Sequence, residues 1–394
     1  MSLYDLLGCP TCKIGVSKEK DRLHCGACGR DYHIVKGVPI MFPDWDGTNI
    51  EHEGDLVLRE GYDPWVNRLI MQSLADDQVV VDCGCGNMRL DDPCIIRMDY
   101  KLTPYVDVVG DIHALPFRRD SIDFFFSLAV FEHLRNPFRA AQEIFDILKP
   151  GGYVYGDCNF VFPYHGFPHH YFNATIHGME QVFAPFRKLR LGVAPFQMPS
   201  FAVESILNTY LAMLPIENAS EQEFVDTVKK LLTFPLRYYD TKMGQDIAFR
   251  LSAGTYFAGV KQPSGQETVI PSVVMRAYAE NQDLQKRFPD PHDLTRPDNL
   301  MIWSLTEGLS VPDIGSYYGA LAPFCKHSDP ARPRDRKIIR SYPVPGEPDH
   351  GRILKPEEIA KYKAGGGPEP TFALRQMKRA LKRWMSPSKK SPAA

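Results

Sequence analysis

The sequence predicts an α/β fold: an open, mostly parallel sheet preceded by a small ribbon and followed by a helical extension. Three observations predict it. Between Val79 and Gly152, short apolar runs alternate with acids and glycines at their ends. The first thirty residues hold two Cys-x-x-Cys pairs. Beyond Pro199 the apolar spacing changes from that of strands to that of helices.

In chain order, Cys9 and Cys12 form one cysteine pair, and Cys25 and Cys28 form another twelve residues on. Each pair makes a knuckle whose thiolates point at one ion, and a returning hairpin brings the pairs together. Four thiolates suit tetrahedral zinc. The gap is shorter than the usual span of about fifteen to twenty. Gly26 and Gly29 supply turn freedom, and Tyr32 to Met41 reads as a strand. The alternative is two disulfides, which a cytosolic context disfavours. A four-cysteine site leaves no open coordination position, so its role is structural. A ribbon of about forty residues has too little core to fold alone and leans on the metal.

The apolar strand Val79-Val80-Val81 runs into Asp82-Cys83-Gly84-Cys85-Gly86. Glycines at a strand's end let a ligand press against backbone that a Cβ would block. The next strand, Cys94 to Met98, ends on Asp99, where a carboxylate can accept two hydroxyls of a cis-diol. Asp111, in Gly110-Asp111-Ile112-His113, suits an exocyclic amine; its bland alternative is a turn aspartate. Ile122 to Ser127 is another buried strand, and Leu148-Lys149-Pro150-Gly151-Gly152 closes the run.

This order of motifs resembles the class I methyltransferases that use S-adenosylmethionine (SAM), of the type 11-like kind. The resemblance covers roughly Gly61 to Lys261. Ser127 to His133 and Ile147 to Gly152 carry it, and Arg250 to Lys261 resembles the hairpin of the last two strands. It implies a Rossmann-like seven-stranded sheet with one antiparallel edge strand, and a turn at Leu148 to Gly152 before the fifth strand. It also implies that Asp82, Gly84 and Gly86 cradle the methionine part, that Asp99 holds the ribose, and that Asp111 and Ile112 hold the adenine. The Leu128-Ala129 backbone would lie near the sulfonium. The cysteine segment, ending Val35 to Met41, resembles the small zinc-ribbon activator of tRNA and protein methyltransferases, and the ribbon of certain rRNA guanine methyltransferases.

Two departures stand out. The usual third glycine is replaced by Asn87-Met88. About eight residues separate Gly86 from the next strand, where a parallel crossover normally needs about a dozen or more. The first helix is therefore expected to be vestigial or a single turn. A dinucleotide reductase is the other reading of a glycine turn with a strand-end acid. There the acid lies about twenty residues after the glycines, whereas Asp99 comes thirteen after Gly86.

After the fifth strand, Asp157 to Thr175 is dense in aromatics and imidazoles, at the strand end where open α/β sheets bind ligands. It resembles a bacterial methyltransferase subgroup with a Tyr-His, Pro-x-Asp-Tyr and Arg-x-Thr pattern. Here His170 replaces the Asp and Asn173 the Arg, which implies a different acceptor. A hydroxyl acceptor needs a base, and histidine is the natural one. His165 or His133 is the first candidate, with His169 and His170 behind them.

Pro199 to Gly244 is expected to be helical, with Val203, Ile206, Leu207, Tyr210, Leu211 and Leu214 on one face. Phe224, Val228, Leu231 and Leu232 form a second such set. The insert stands where an acceptor lid is usual, with core packing as the alternative. Ser272 to Leu309 reads as two helices. Pro330 to Pro370 reads as an extended linker, with eight prolines and five glycines. Phe372 to Met385 places Leu374, Met377, Leu381 and Trp384 on one helical face and basic residues around it, as an interfacial membrane helix does. An acidic protein or RNA is the rival partner for this tail.

Composition bounds the function. The chain has 394 residues, 44% hydrophobic and 24% charged, which is globular and has room for two or three domains. Its net charge is −2, but residues 371–394 hold seven basic and no acidic residues, which leaves −9 (39 basic against 48 acidic) for the rest. That balance disfavours nucleic acid. With no apolar run of about eighteen residues and no leader pattern, cytoplasmic residence is expected, with peripheral contact to the membrane's inner face. The leading expectation is SAM-dependent methyl transfer to a small-molecule or glycan acceptor, in cell-surface polysaccharide biosynthesis. The alternatives are an RNA methyltransferase using the ribbon, and a non-catalytic scaffold that kept the fold.

Overall fold

The structure, a computed structural model, describes residues 2–48, 50–51, 70, 78–86, 95–166, 169–232, 236, 240, 248–262, 279, 282–287 and 289–290. It divides into two units. The first comprises Met1–Cys158, Gly166–Gly192 and Tyr256–Pro345; the second comprises Asn159–His165, Val193–Thr255 and Gly346–Ala394.

The ribbon is a four-stranded antiparallel sheet: β1 (Ser17–Glu19), β2 (Arg22–His24), β3 (Asp31–Val35) and β4 (Val38–Pro39). The single strand expected over Tyr32 to Met41 is instead a hairpin. Lys36 and Gly37 take φ of 51° and 79°, the left-handed pair of a tight two-residue turn.

The main sheet holds β5 (Val80–Cys83), β6 (Ile95–Asp99), β7 (Val108–Val109), β8 (Ile122–Ser127), β9 (Leu148–Asn159), β10 (Arg187–Gly192) and β11 (Gly254–Val260). Their order is β10-β11-β9-β8-β5-β6-β7. β5 to β9 pair in parallel. Their near-continuous Val, Ile and Phe runs follow from burial on both faces. The expected antiparallel edge strand is displaced inward. β11 pairs antiparallel with β10 and is held to β9 by Gly151 N–H to Lys261 O and Lys261 N–H to Gly152 O, at 2.8 and 2.9 Å. All seven residues of β11 are buried, whereas β10 carries Arg187 and Lys188. Burial therefore puts β11 inside and leaves the charged strand at the edge. The expected turn before the fifth strand lies inside β9: Leu148 pairs with Ile122 and Tyr153 with Phe124, so Lys149 to Gly152 bulge out. Gly151 takes φ of 78° there.

Helix Pro137–Ile147 starts on an Asn136 cap that accepts from Arg139 N–H, with proline in its first turn. It buries Ala140, Ala141, Ile144 and Ile147 against the sheet. The ribbon shares this core: Leu3, Leu6, Leu7, Cys9, Leu23, Tyr32 and Met41 cluster with Val81, Phe117 and Ile144. Ile40 bridges Val109 in parallel, and Met41 N–H donates to Val109 O at 2.8 Å.

The second unit holds helices Pro199–Ala212 and Ala219–Leu232. The predicted face of the first is only partly buried. Leu211 is covered, but Ile206 and Tyr210 are exposed, while Ala202 and Glu204 are buried. A polar anchor sets this rotation: Asp240 accepts from the Ser200 backbone N–H at 3.2 Å and from its hydroxyl. In the second helix Val225 is buried and Phe224 and Val228 are half-buried. In the first unit, helix Gln282–Arg287 falls within the expected Ser272 to Leu309 pair. The Asn87–Asp92 loop, the Pro330–Pro370 linker and the basic tail lie outside the described residues. Among the described residues, no helix is long and apolar enough to cross a membrane.

Candidate functional site

Two centres of chemistry emerge in the first unit. At the ribbon, the four sulfur atoms of Cys9, Cys12, Cys25 and Cys28 all lie within 4.8 Å of one another. Cys9 Sγ and Cys28 Sγ are 3.7 Å apart. Zn–S bonds of about 2.3 Å in a tetrahedron place sulfurs about 3.8 Å apart, whereas a disulfide needs about 2.05 Å. All four are free thiols, so the donor set fits a soft tetrahedral ion rather than the disulfide alternative.

The two knuckles share one geometry. Lys13 N–H donates to Cys9 O and Gly29 N–H to Cys25 O, each at 2.8 Å, and Lys13 and Gly29 both take left-handed φ, 59° and 68°. The thiols hold their protons unevenly. The Arg30 backbone N–H draws Cys28 down to about 6; the hydrogen bond with Cys28 pushes Cys12 up to about 12. Burial raises Cys9, but the Tyr32 hydroxyl 3.1 Å away and the Cys12 and Thr11 backbone reverse this. A cation would replace these shared protons.

The second centre lies along the carboxyl ends of β5, β6, β7 and β8. β5 has β6 on one side and β8 on the other. The strand order reverses between β5 and β8, which opens the crevice where such sheets bind ligands. A chain of contacts crosses it. Gly110 N–H donates to Asp99 O at 3.0 Å, Gly86 N–H donates to Asp99 Oδ2 at 2.8 Å, and Gly84 packs against Val130.

Each glycine has its own reason. A Cβ on Gly84 would stand 2.1 Å from Val130 Cγ2, and its φ is 80°. Protein packing, rather than a ligand, excludes a side chain there. Gly86 takes φ of 56°, and a Cβ there would meet nothing within 4 Å among the described residues. Asp82 is buried in β5, in register with Arg97 and Phe126.

Asp111 caps the turn Ile112–Ala114, accepting from His113 N–H at 2.9 Å and meeting His113 Nδ1 at 2.7 Å. The turn-aspartate role is therefore real. Burial raises its pKa, but the His113 bonds outweigh this and hold the carboxyl below its ordinary range. Ile112 is buried beside it. After β8, Leu128 is half-buried and Ala129 takes φ of 52°, a conformation that costs a non-glycine residue about 1–2 kcal/mol. Asp157 Oδ1, buried at the end of β9, accepts the Ala129 N–H at 2.6 Å and fixes that turn.

The candidate histidines differ in their restraints. His133 Nδ1 meets His169 O at 2.7 Å, and Gly166 lies so close that a Cβ there would stand 2.4 Å from the ring. The His133 Nε2 lies 4.0 Å from the buried Glu132 carboxylate. His169 is exposed and edges Tyr171. His170 Nε2 meets Asn173 Oδ1 at 2.6 Å and Phe172 O at 3.0 Å. The two positions that depart from the related pattern thus contact each other. In the second unit, His165 Nδ1 meets Pro163 O at 3.1 Å and its Nε2 meets Asn159 Nδ2 at 3.4 Å.

Residues 81–156 match the methyltransferase domain family. This segment is similar to methyltransferase domains. The mixed seven-stranded sheet is a Rossmann-like methyltransferase fold. A protein of Encephalitozoon cuniculi (strain GB-M1) described as a methyltransferase is 38% identical over 97 residues, 20% of this chain and 46% of that protein. The chain thus spans less than half the length of that relative. Phosphoethanolamine N-methyltransferase 2 of Haemonchus contortus, solved with SAM, is similar over 50% of this chain and 53% of its own, with 17% identity and a TM-score of 0.30. A complex of the Haloferax volcanii Trm112 methyltransferase activator with a methyltransferase is similar over 50% of this chain and 90% of the matched one, with 18% identity and a TM-score of 0.29.

Within the first unit, sequence reasoning passed over Asp157 as a restraint on Ala129. It also passed over the buried Lys13–Glu143 pair. The signal for Asp157 was an acid at the end of an apolar strand; Lys13 and Glu143 stand 130 residues apart and offered none.

Proposed function

We propose that the methyltransferase domain binds SAM along the carboxyl ends of β5 to β8 and transfers its methyl group to a small-molecule or glycan acceptor. The carrying observation is the contact chain that joins the Gly84–Gly86 turn, Asp99, the Gly110–Ile112 segment and the Leu128–Val130 turn at one switch point. Asp82, Gly84 and Gly86 surround the methionine part, Asp99 takes the ribose hydroxyls, Asp111 and Ile112 the adenine, and the Leu128-Ala129 backbone faces the sulfonium.

The sulfonium supplies an electrophilic methyl group. The chain's residues then have to align an acceptor with it and, for a hydroxyl, accept its proton. His133 is the first choice, because its Nδ1 contact with His169 O fixes the ring, with the Glu132 carboxylate 4.0 Å from its Nε2. His165 follows, then His169 and His170. Zinc at Cys9, Cys12, Cys25 and Cys28 is structural. The basic tail binds a membrane surface.

Calorimetry with S-adenosylhomocysteine tests the cofactor reading. The wild type should bind, and Asp99→Ala should lose roughly ten- to a hundred-fold in affinity, since each charged hydrogen bond is worth about 1.5–3 kcal/mol. Unchanged affinity would remove Asp99 from the ribose role. Near-normal turnover in both His133→Asn and His165→Asn would remove the base assignment.

The ribbon favours a second reading, an RNA acceptor. The −9 charge outside the tail weighs against it. Labelled methyl transfer into the RNA fraction of a lysate, rather than the small-molecule or glycan fraction, would reverse the order.

A further inference from the structure

We infer that Lys13, the residue after the first cysteine pair, is a positioning residue for the adenine side of the cofactor site, and that it links the state of the four-sulfur cluster to SAM affinity. This rests on the proposed SAM site. The argument starts from an unusual placement. A lysine occupies the left-handed knuckle position that the second knuckle fills with Gly29, and its side chain is buried. A long charged side chain goes inside only where its charge is paired.

The ammonium donates to Leu115 O at 2.7 Å and to Glu143 Oε2. The same Glu143 oxygen accepts the Leu115 N–H at 3.0 Å. Both polar backbone groups of Leu115 are thus held by one buried ion pair. Glu143 Oε1 accepts from Arg139 Nη2, and Arg139 Nε donates to His113 O at 3.3 Å. Leu115 and His113 belong to the turn that Asp111 opens and Ile112 fills. A second tie runs beside the first: Gly8 N–H donates to Pro116 O and Arg118 N–H to Leu6 O, both at 3.0 Å. The segment proposed to read adenine is therefore clamped from the knuckle. An ion that fixes the knuckle fixes the lysine, and the lysine fixes the turn.

The test measures S-adenosylhomocysteine affinity by calorimetry on the full chain, with melting temperature and zinc content followed in parallel. Lys13→Met should weaken binding about five- to fifty-fold, within the usual range of coupling between sites, and Lys13→Arg should restore most of it. Arg139→Ala, whose side chain is half exposed, keeps the core and should weaken binding by a smaller factor through His113. Stripping zinc from the wild type should reproduce the Lys13→Met loss, with little further loss when zinc is stripped from Lys13→Met itself. Wild-type affinity in a folded Lys13→Met would overturn the inference. Should Lys13→Met fail to fold, wild-type affinity in Arg139→Ala would overturn it. A wild type that binds no S-adenosylhomocysteine would instead sink the SAM site beneath it, and a wild type without zinc would sink the metal link.

Discussion

The ribbon end and the carboxyl edge of the main sheet hold their chemistry in opposite ways. The four cysteines come from one stretch of twenty residues, and the function of each side chain is its sulfur. At the carboxyl edge the contributions come from four strand ends, β5 to β8, spread from Asp82 to Val130. Much of the work there falls to backbone: the Gly86 and Ala129 amides and the turn after Asp111. A centre made of local side chains fails when one ligand is removed. A centre made of packed strand ends should lose function in steps.

The largest expected effect is therefore at the ribbon. Cys25→Ser takes away a buried thiol of the four-sulfur cluster, and structural zinc sites contribute on the order of 10 kcal/mol or more of binding free energy. Zinc content should fall to near zero, and limited proteolysis should cut within the first forty-five residues. A protected ribbon with no metal would break the comparison. Next comes the pair joining the two centres. Glu143→Leu leaves the Lys13 ammonium buried without its partner, a change that costs about 3–5 kcal/mol. Urea unfolding should show this loss.

Smaller steps are expected at the sheet's edge. Gly84→Ala forces a Cβ onto Val130 and keeps a left-handed φ, for a loss of about 2–4 kcal/mol. Adding Val130→Ala should recover the steric part and leave the left-handed part, as thermal melts of the single and double variants would show. The smallest effect has the opposite sign. Ala129→Gly removes about 1–2 kcal/mol of left-handed cost and adds about 0.5–1 kcal/mol of chain entropy. The variant should melt slightly higher than the wild type.

The contrast also explains what could be read without coordinates. The cysteine spacing and the strand-end positions of Asp99 and Asp111 were legible because each is a local pattern. β11's place inside the sheet was not, because order depends on which strand buries its charges; Arg187 and Lys188 against the apolar run of β11 held that information. The helix Pro199–Ala212 showed an apolar stripe in the expected register, yet Ser200 and Asp240, forty residues apart, decided which way it turned. The His170 and Asn173 substitutions read as a change of acceptor. Their mutual hydrogen bond gives them a local reason as well: two departures three residues apart compensate each other.

The bridge between Ile40 and Val109 has a consequence for solubility. A sheet's outer strand offers unsatisfied amides and carbonyls that can template another chain. At one border, β10 resists this with Arg187, Lys188 and a shift in register. At the other, β7 is two valines with no charge of its own, and the ribbon lies over it. The cysteine module thus serves as insulation for an otherwise adhesive border. A chain cut to begin after residue 45 should self-associate through that border, even where its cofactor edge is intact.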